Sequence, residues 1–293
     1  MLRSLFSFGR SDPDNQFLFP KVSSAEDGPD CTKDCADCTI QFPSKVKVEN
    51  SRALYGHIKE FHSHVLVATG QSDWKEKVEK ESGSLMEAFD SAKSELGRIM
   101  VSASNIHPPG ESVTEKSAET TTVLILPSFT YVDSVGQEDV PRLIAQYIDH
   151  PADQDQDKVI PSPGGLMSAR PCELDYVILL CSHRRRDARC GITAPLIKRE
   201  LERHLRPLGL DRDLDDSRTG GVGIFFVSHV GGHKFSANVL VYRKEDQQMI
   251  WLARVRPEHC EGIVKYTVLQ GKVVHPETQL RGGFDRVRGL TSW

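Results

Sequence analysis

The chain has 293 residues, enough for two compact domains or for one large one. A hydrophobic content of 38% and a charged content of 27% are those of an ordinary globular protein. A net charge of −4 argues against a general nucleic-acid binder and against binding to a membrane surface. No apolar run approaches the roughly 18 residues of a membrane span, so we expect neither nucleic acid nor a membrane as a partner.

The seven cysteines are too few and too unevenly placed for a disulfide scaffold, and no secretory signal is visible. We therefore expect a reducing compartment, in which grouped cysteines indicate metal or redox chemistry. The first ten residues are basic and free of acids, as in a mitochondrial transit peptide. We expect a frayed N-terminus on a cytoplasmic protein, with a transit peptide and a mitochondrial location as the alternative.

Residues 1–50 contain few apolar residues and are predicted to be poorly ordered. They include Cys31, Cys35 and Cys38, in the bare spacing of radical S-adenosylmethionine enzymes, which bind a 4Fe–4S cluster. Asp37 stands where those enzymes usually have an aromatic residue, and a disordered context is wrong for them. Free thiols on a mobile tail are the expectation, with a zinc site or redox-active thiols as alternatives.

Residues 51–150 are predicted to form an N-terminal α/β domain, because strands alternate with helices. Apolar runs predict strands at His64–Gly70 and Thr120–Leu126. Helical periodicity predicts helices from Ser72 to Leu96 and from Val140 to Tyr147.

Residues 151–171 are acidic and then rich in Pro and Gly, which predicts a linker, and residues 290–293 form a tail. Between them, residues 172–289 are predicted to form a second domain. Its predicted elements are a strand at Tyr176–Cys181, a helix at Ala194–Leu205, strands at Val222–Val227, Ala237–Tyr242 and Met249–Val255, and a helix at Pro257–Val268. This order, β-α-β-β-β-α, favours a thioredoxin-like layout.

Four candidate ligands lie where strands of the second domain give way to loops. Cys181 and Cys190 are nine positions apart, and His229 and His233 flank Gly231-Gly232. A Cys2His2 set suits either a structural zinc ion or an iron–sulfur cluster. Cysteines that bind a structural zinc ion are usually two to four residues apart, whereas this wide loop suits a larger cofactor. Spacing alone does not decide between the zinc ion and the cluster. Buried, inert side chains are the third interpretation.

The residues around these ligands resemble the motif of the sucrase/ferredoxin-like family of thioredoxin-like ferredoxins. The matching segments are Ile178–His183, Arg189–Pro195, His229–Phe235, Ala237–Asn238 and Ile250–Leu252. The resemblance implies a 2Fe–2S cluster held by Cys181, Cys190, His229 and His233, outside the Rieske fold, and a cytosolic rather than a mitochondrial member.

Such a ligand set has a physical consequence for reduction. Two ferric ions, two sulfides, two thiolates and two neutral imidazoles sum to zero charge, so the potential should lie above that of all-cysteine ferredoxins. A midpoint potential that falls with pH is also expected, because reduction favours proton uptake by an exposed ligand histidine.

Two partners are expected. Arg184, Arg185, Arg186 and Arg189 crowd the loop between the cysteines and suit an acidic electron donor such as a flavoprotein reductase. The last residues, ending at Trp293, resemble the tripeptide by which clients reach the cytosolic iron–sulfur assembly machinery, although Thr291 stands in its aliphatic position. Packing of Trp293 on its own domain is the alternative. No nucleophile–base pair can be singled out, so an electron carrier is favoured over an enzyme.

Overall fold

The computed structural model describes residues 17–107, 120–150, 160–162 and 165–293. The first 16 residues and most of the predicted linker therefore lie outside the described residues. In the part of the chain that is described, no helix is both long and apolar enough to cross a membrane.

The C-terminal half is built on strands β7 (Tyr176–Cys181), β9 (Val222–Val227), β10 (Val239–Arg243) and β11 (Gln248–Leu252). β7 and β9 are parallel, whereas β10 is antiparallel to both β7 and β11. The strand order β11-β10-β7-β9, with a helix after β7, is thioredoxin-like, as the sequence predicted. The helices and the short strand of this half are α4 (Ala188–Leu205), α5 (Cys260–Gly262), α6 (Pro276–Gln279) and β8 (Asp211–Arg212). A helical turn at Pro257–His259 precedes α5, and a π-helical stretch at Ile263–Val268 continues it.

The N-terminal half repeats this arrangement, which the sequence did not reveal. Its strands are β1 (Ser63–Ala68), β2 (Ile99–Ser104), β3 (Thr121–Leu126) and β4 (Thr130–Val135). β1 and β2 are parallel, and β3 is antiparallel to β1 and β4. Two helices belong to this half: α2 (Leu85–Ser91), preceded by a turn at Val78–Lys80, and α3 (Val140–Ile144), extended by a π-helical stretch at Ala145–Asp149.

The two halves join through β2 and β9, which gives the strand order β11-β10-β7-β9-β2-β1-β3-β4. Counted outward from this junction, each strand of one half has its counterpart at the same position in the other half. Ser104 pairs with Val227 at the centre of this palindrome. The flanking hydrogen bonds are also symmetric. The Asn105 Oδ1 atom accepts from the Phe226 amide at 2.7 Å, and Ser228 Oγ accepts from the Ala103 amide at 3.0 Å. The chain is therefore two thioredoxin-like layouts related by a pseudo-two-fold axis.

The sheet curls so that its two halves face each other. Four strand-to-strand steps separate β1 from β10, roughly 19 Å in a flat sheet. Nevertheless His64 of β1 and Tyr242 of β10 share a hydrogen bond of 2.9 Å, and both are fully buried. Leu66 and Leu179 belong to one core cluster that both halves build. This shared core fixes the orientation of the halves.

The helices cover the outer faces of the curled sheet. Ile197 and Leu201 of α4 pack on Ile178 and Leu180 of β7. On the other side, Phe89 of α2 and Leu143 of α3 belong to one core cluster with the outward side chains of β1 and β3. The result is a four-layer arrangement in which the apolar faces of the helices are buried against the sheet.

The remaining segments extend the sheet or wrap around it. Strands β12 (Leu280–Asp285) and β13 (Leu290–Ser292) continue one edge, and β5 (Ile160–Ser162) and β6 (Gly165–Pro171) continue the other. The segment from 17 to 50, predicted to be poorly ordered, contains one short helix, α1 (Ser24–Asp27), and buries Phe19, Val22 and Cys31.

Three further sequence expectations differ from the structure. The helix expected from Ser72 to Leu96 is reduced to α2, because Gly83 adopts a left-handed conformation and Ser84 caps a new helix start. Strand β6 lies inside the predicted linker, where its residues Ser168–Pro171 pair with β4. α4 begins at Ala188 rather than Ala194. The division into two domains stays a prediction, since the sheet crosses it without a break.

We predict that Asn105→Ala destabilises the junction between the halves. The Phe226 amide would lose its side-chain acceptor, which costs about 1–3 kcal/mol when the donor is buried. Denaturant unfolding followed by circular dichroism measures the free energy of unfolding. The matched control is Ser91→Ala, an exposed helix position expected to change it by less than about 0.5 kcal/mol. Equal effects of the two substitutions would contradict the assigned role of Asn105.

Candidate metal centre

The two cysteines of the predicted site are placed by the β7–α4 connection. Cys181 is the last residue of β7, and Cys190 lies in the first turn of α4. Asp187 caps that helix, since its carboxylate accepts from the Arg189 amide at 2.9 Å. Gly191 allows the connecting loop to lie close, because a Cβ there would be 2.3 Å from the Cβ of Arg184. The earlier helix start therefore brings Cys190 back over the end of β7.

The two histidines follow β9, on a loop shaped by glycines. Gly231 and Gly232 have φ of 97° and 74°, a region that favours glycine. The loop is also held from outside by Asn238, whose Nδ2 donates to the Gly232 carbonyl at 3.0 Å. This turn stacks the His229 and His233 rings, with centroids 4.9 Å apart and an interplanar angle of 37°.

Arg281 of β12 supports the same loop from beneath. Its Nη1 atom donates to the Gly231 carbonyl at 3.1 Å and to the Asn238 Oδ1 atom at 3.0 Å. Its guanidinium lies 4.4 Å from the centroid of the Trp251 ring. Burial lowers the pKa of Arg281 to about 10. Sequence reasoning missed this residue, because β12 was not predicted and Arg281 carries no motif.

The structure brings all four predicted ligands to one place. The thiols of Cys181 and Cys190 are both buried. Their mutual interaction lowers the pKa of Cys181 well below its usual value and raises the pKa of Cys190, and the nearby His229 also lowers the pKa of Cys181. Ser236 Oγ lies 3.4 Å from the Cys190 sulfur. A pair in which one thiol readily becomes a thiolate is suited to binding a metal.

One observation shows that the donor set fits a metal cofactor. The Nδ1 atoms of His229 and His233 are buried and have no hydrogen-bond partner, which is costly unless a ligand takes them. Two thiols and two imidazoles suit either a 2Fe–2S cluster or a zinc ion.

The outer side of the site is ordered by His183 and Asp187. The His183 Nδ1 atom accepts from the His229 amide at 3.3 Å, and its Nε2 atom lies 3.1 Å from the Trp74 carbonyl in the N-terminal half. Asp187 Oδ2 lies 3.8 Å from the Nε2 atom of His233. Burial lowers the pKa of His233, against the opposing charge of Asp187. Hence the neutral imidazole required of a ligand is favoured.

The arginines between the cysteines are mostly engaged within the chain. The Arg185 amide donates to Asp73 at 3.1 Å, and Arg186 donates to the Glu76 carbonyl at 2.9 Å. Arg189 forms a two-pronged ion pair with Asp187. Arg184 is exposed, and among the described residues it has no ion-pair partner.

The other cysteines do not join this site. Cys31 is buried in a small cluster with Val22, Tyr266 and Val274, whereas Cys35 and Cys38 lie half-buried near the far end of α4. Cys172 and Cys260 are also buried. The Trp293 ring packs on Phe61 and Phe284, with centroid distances of 5.2 and 5.9 Å.

Fold and site together define an α/β protein with a thioredoxin-like C-terminal half and a Cys2His2 donor set at the ends of two parallel strands. The chain belongs to the sucrase/ferredoxin-like family, whose profile matches residues 54–282. This confirms the resemblance read from the sequence.

The chain is also similar to several curated proteins. The chain is 29% identical to "Actin patches distal protein 1" of Saccharomyces cerevisiae over 277 residues, 89% of this chain and 87% of that protein. It is 40% identical to "Altered inheritance of mitochondria protein 32" of Clavispora lusitaniae over 109 residues, 37% of this chain and 36% of that protein. The protein of that name from Debaryomyces hansenii is 38% identical over 99 residues, 33% of each chain. No solved structure gives a significant match.

We predict that Gly232→Ala disrupts the ligand loop more than Gly231→Ala. Both positions have positive φ, so each substitution should cost about 1–2 kcal/mol in backbone strain. At Gly232 the new methyl would also lie 2.7 Å from Arg281 Nη1, whereas at Gly231 it meets open space. Displacing that buried guanidinium should add about 1–3 kcal/mol. The free energy of unfolding of metal-free protein tests this, and equal losses would refute the contact.

Proposed function

We propose that this protein transfers electrons through a 2Fe–2S cluster held by Cys181, Cys190, His229 and His233. The observation that carries the proposal is the pair of buried imidazole Nδ1 atoms without partners, beside two buried thiols. A cluster bound there would accept and release single electrons. The family description, which includes the word ferredoxin, supports the same chemistry.

The chain's own residues set the conditions for that transfer. The two thiolates and two neutral imidazoles give an oxidised centre of zero charge, which takes up an electron at less cost than an all-cysteine centre. Arg281 and Asn238 fix the histidine loop, and His183 holds the His229 backbone. Burial of both cysteines excludes water from the sulfur side.

A docking surface for an electron donor is proposed around Arg184, an exposed arginine of the loop between Cys181 and Cys190. The cleft beside His229 has a volume of about 560 Å³, and its lining includes four cationic side chains and two acidic ones: Lys59, Lys93, Arg98 and Arg186 against Glu79 and Asp90. This excess of positive charge favours an acidic partner, such as a flavoprotein reductase, because opposite charge speeds the encounter.

We place this activity in the cytoplasm, with mitochondria as the alternative. Relatives named for altered inheritance of mitochondria cover about a third of the chain, whereas the yeast actin-patches-distal relative covers most of it. Use of Trp293 to reach the cytosolic iron–sulfur assembly machinery stays part of the proposal. It would require Trp293 to leave Phe61 and Phe284.

Analysis of the purified protein for iron, sulfide and zinc, with an anaerobic visible spectrum, tests the proposed cofactor. Two irons and two sulfides per chain, lost in Cys181→Ser, are expected. Zinc at these four residues without iron or sulfide would instead indicate a zinc-stabilised interaction module. A third outcome, thiol–disulfide turnover at Cys35 and Cys38 in a metal-free protein, would indicate a thiol oxidoreductase.

We predict that His229→Cys or His233→Cys retains the cluster but lowers its midpoint potential. Each change replaces a neutral ligand by a thiolate, and the added negative charge should lower the potential by on the order of 100 mV. Redox titration followed by electron paramagnetic resonance measures it. The control is His62→Cys, a half-buried histidine of the N-terminal half, for which no shift is expected. An unchanged potential in both ligand variants would remove these histidines from the ligand set.

We predict that Arg184→Glu slows reduction by an acidic flavoprotein reductase by about tenfold at low ionic strength. The difference should vanish near 1 M salt, where the screening length falls to about 3 Å. Stopped-flow reduction at several salt concentrations is the measurement. Arg218→Glu is the matched control. Arg218 is an exposed arginine that precedes the N-terminal end of β9, whereas His229 follows the C-terminal end. Equal slowing by both substitutions would place the docking surface elsewhere.

A further inference from the structure

A second group of metal-binding side chains lies at the far end of α4. Glu200 and His204 are four residues apart and share one face of this helix. Glu200 is ten residues beyond Cys190, about 15 Å along the axis. The segment Cys35-Ala-Asp-Cys38 is held against this end, where the Cys35 amide donates to the Glu258 carbonyl at 2.9 Å. Two thiols with two residues between them have the spacing of a zinc knuckle.

The side-chain atoms of this group are close enough to share one ion. The Cys35 sulfur, a ring nitrogen of His204 and a carboxylate oxygen of Glu261 all lie within 4.8 Å of one another. Ligands of a tetrahedral zinc ion are roughly 3.3–3.8 Å apart, so a small contraction would bring these three atoms to one ion. Cys38 lines an open cavity of about 360 Å³ together with Cys35, and its side chain would turn towards the ion to supply a further ligand.

A cationic nitrogen of Arg203 already occupies the point where acceptor atoms of Cys35, Glu200 and His204 converge. The Arg203 Nη2 atom lies 3.3 Å from the Cys35 sulfur, 2.6 Å from Glu200 Oε1 and 3.1 Å from His204 Nε2. A thiol, a carboxylate and an imidazole around one cation form the donor set that zinc prefers. The Arg203 side chain is 41% exposed, so it can turn out into water.

Glu200 gives an independent indication of a ligand. Its side chain is 0% exposed, yet its Oε2 atom has no hydrogen-bond partner. A buried carboxylate with a free oxygen is costly unless a cation compensates it. Arg203 reaches only the other oxygen, which leaves room for a second positive charge.

We propose that Cys35, Cys38 and His204, with a carboxylate from Glu261 or Glu200, bind a structural zinc ion separate from the Cys181 site. Binding would displace Arg203 and release the thiol protons of Cys35 and Cys38 to solvent. Cys31 takes no part, because it is buried in another cluster. The ion would fasten the segment from 17 to 50, which has little helix or strand of its own, to α4 and α5.

The test uses the full chain and zinc or cobalt(II) as probes. One equivalent of zinc should bind to wild-type protein and also to Cys181→Ser, which separates this site from the proposed cluster. Cobalt(II) should give thiolate charge-transfer bands. Cys35→Ser, Cys38→Ser and His204→Gln should each weaken binding at least tenfold, whereas His275→Gln, a nearby half-buried histidine, should not.

Two exposed positions keep the test decisive if a cysteine variant fails to fold. Arg203→Gln should tighten zinc binding several-fold, because the competing cation is gone, and Glu261→Gln against Glu200→Gln identifies the fourth ligand. If neither wild type nor Arg203→Gln binds zinc, the proposal is overturned. The group is then only an ion pair between Arg203 and Glu200. A Cys35–Cys38 disulfide in protein purified under reducing conditions, seen as a mass two hydrogens lower, would overturn it as well.

Discussion

The antiparallel pairing of β2 with β9 is the constraint on which the rest of the molecule depends. Only Ser104 and Val227 are register partners between these strands, but side-chain oxygens on both sides extend the contact symmetrically. Without this pairing the two half-sheets would have no common edge, and the curl that buries His64 against Tyr242 could not form. The ligand loop begins at the residue after Ser228, so the same pairing also sets the position of His229.

The N-terminal half contributes to the site although it supplies none of the four donors. The Ser182 Oγ atom donates to the Ser72 carbonyl at 2.7 Å, and His183 reaches the Trp74 and Lys75 carbonyls. Because β1 ends in the same region as β7, its following loop lies against the cysteine loop. The backbone of one half therefore holds the cysteine loop of the other, which is a reason for the halves to share a sheet.

Prediction from the sequence was most accurate where a candidate ligand directly follows a continuous apolar run. Strand β7 was predicted to the residue, because a continuous apolar run ends at a cysteine. The structure also brings together the four candidate ligands that spacing and the family resemblance indicated. The supporting residues were not found. Arg281 and His183 act through contacts between segments that are distant in the chain, and no local pattern records such contacts. Strands β2 and β4 were missed because Ser and Thr interrupt their apolar pattern.

The internal symmetry explains why one half alone carries the site. The parallel registers β1–β2 and β7–β9 make Ala68 the counterpart of Cys181, and Ser104 the counterpart of Val227. Thr69 and Ser182, one residue later, donate equivalent backbone bonds of 2.9 and 3.0 Å across their pairs. The backbone that positions a ligand is thus present twice, but the thiol is present once. Hence the layout determines where a ligand can be placed, and the side chains at the strand ends determine which half carries the candidate donor set.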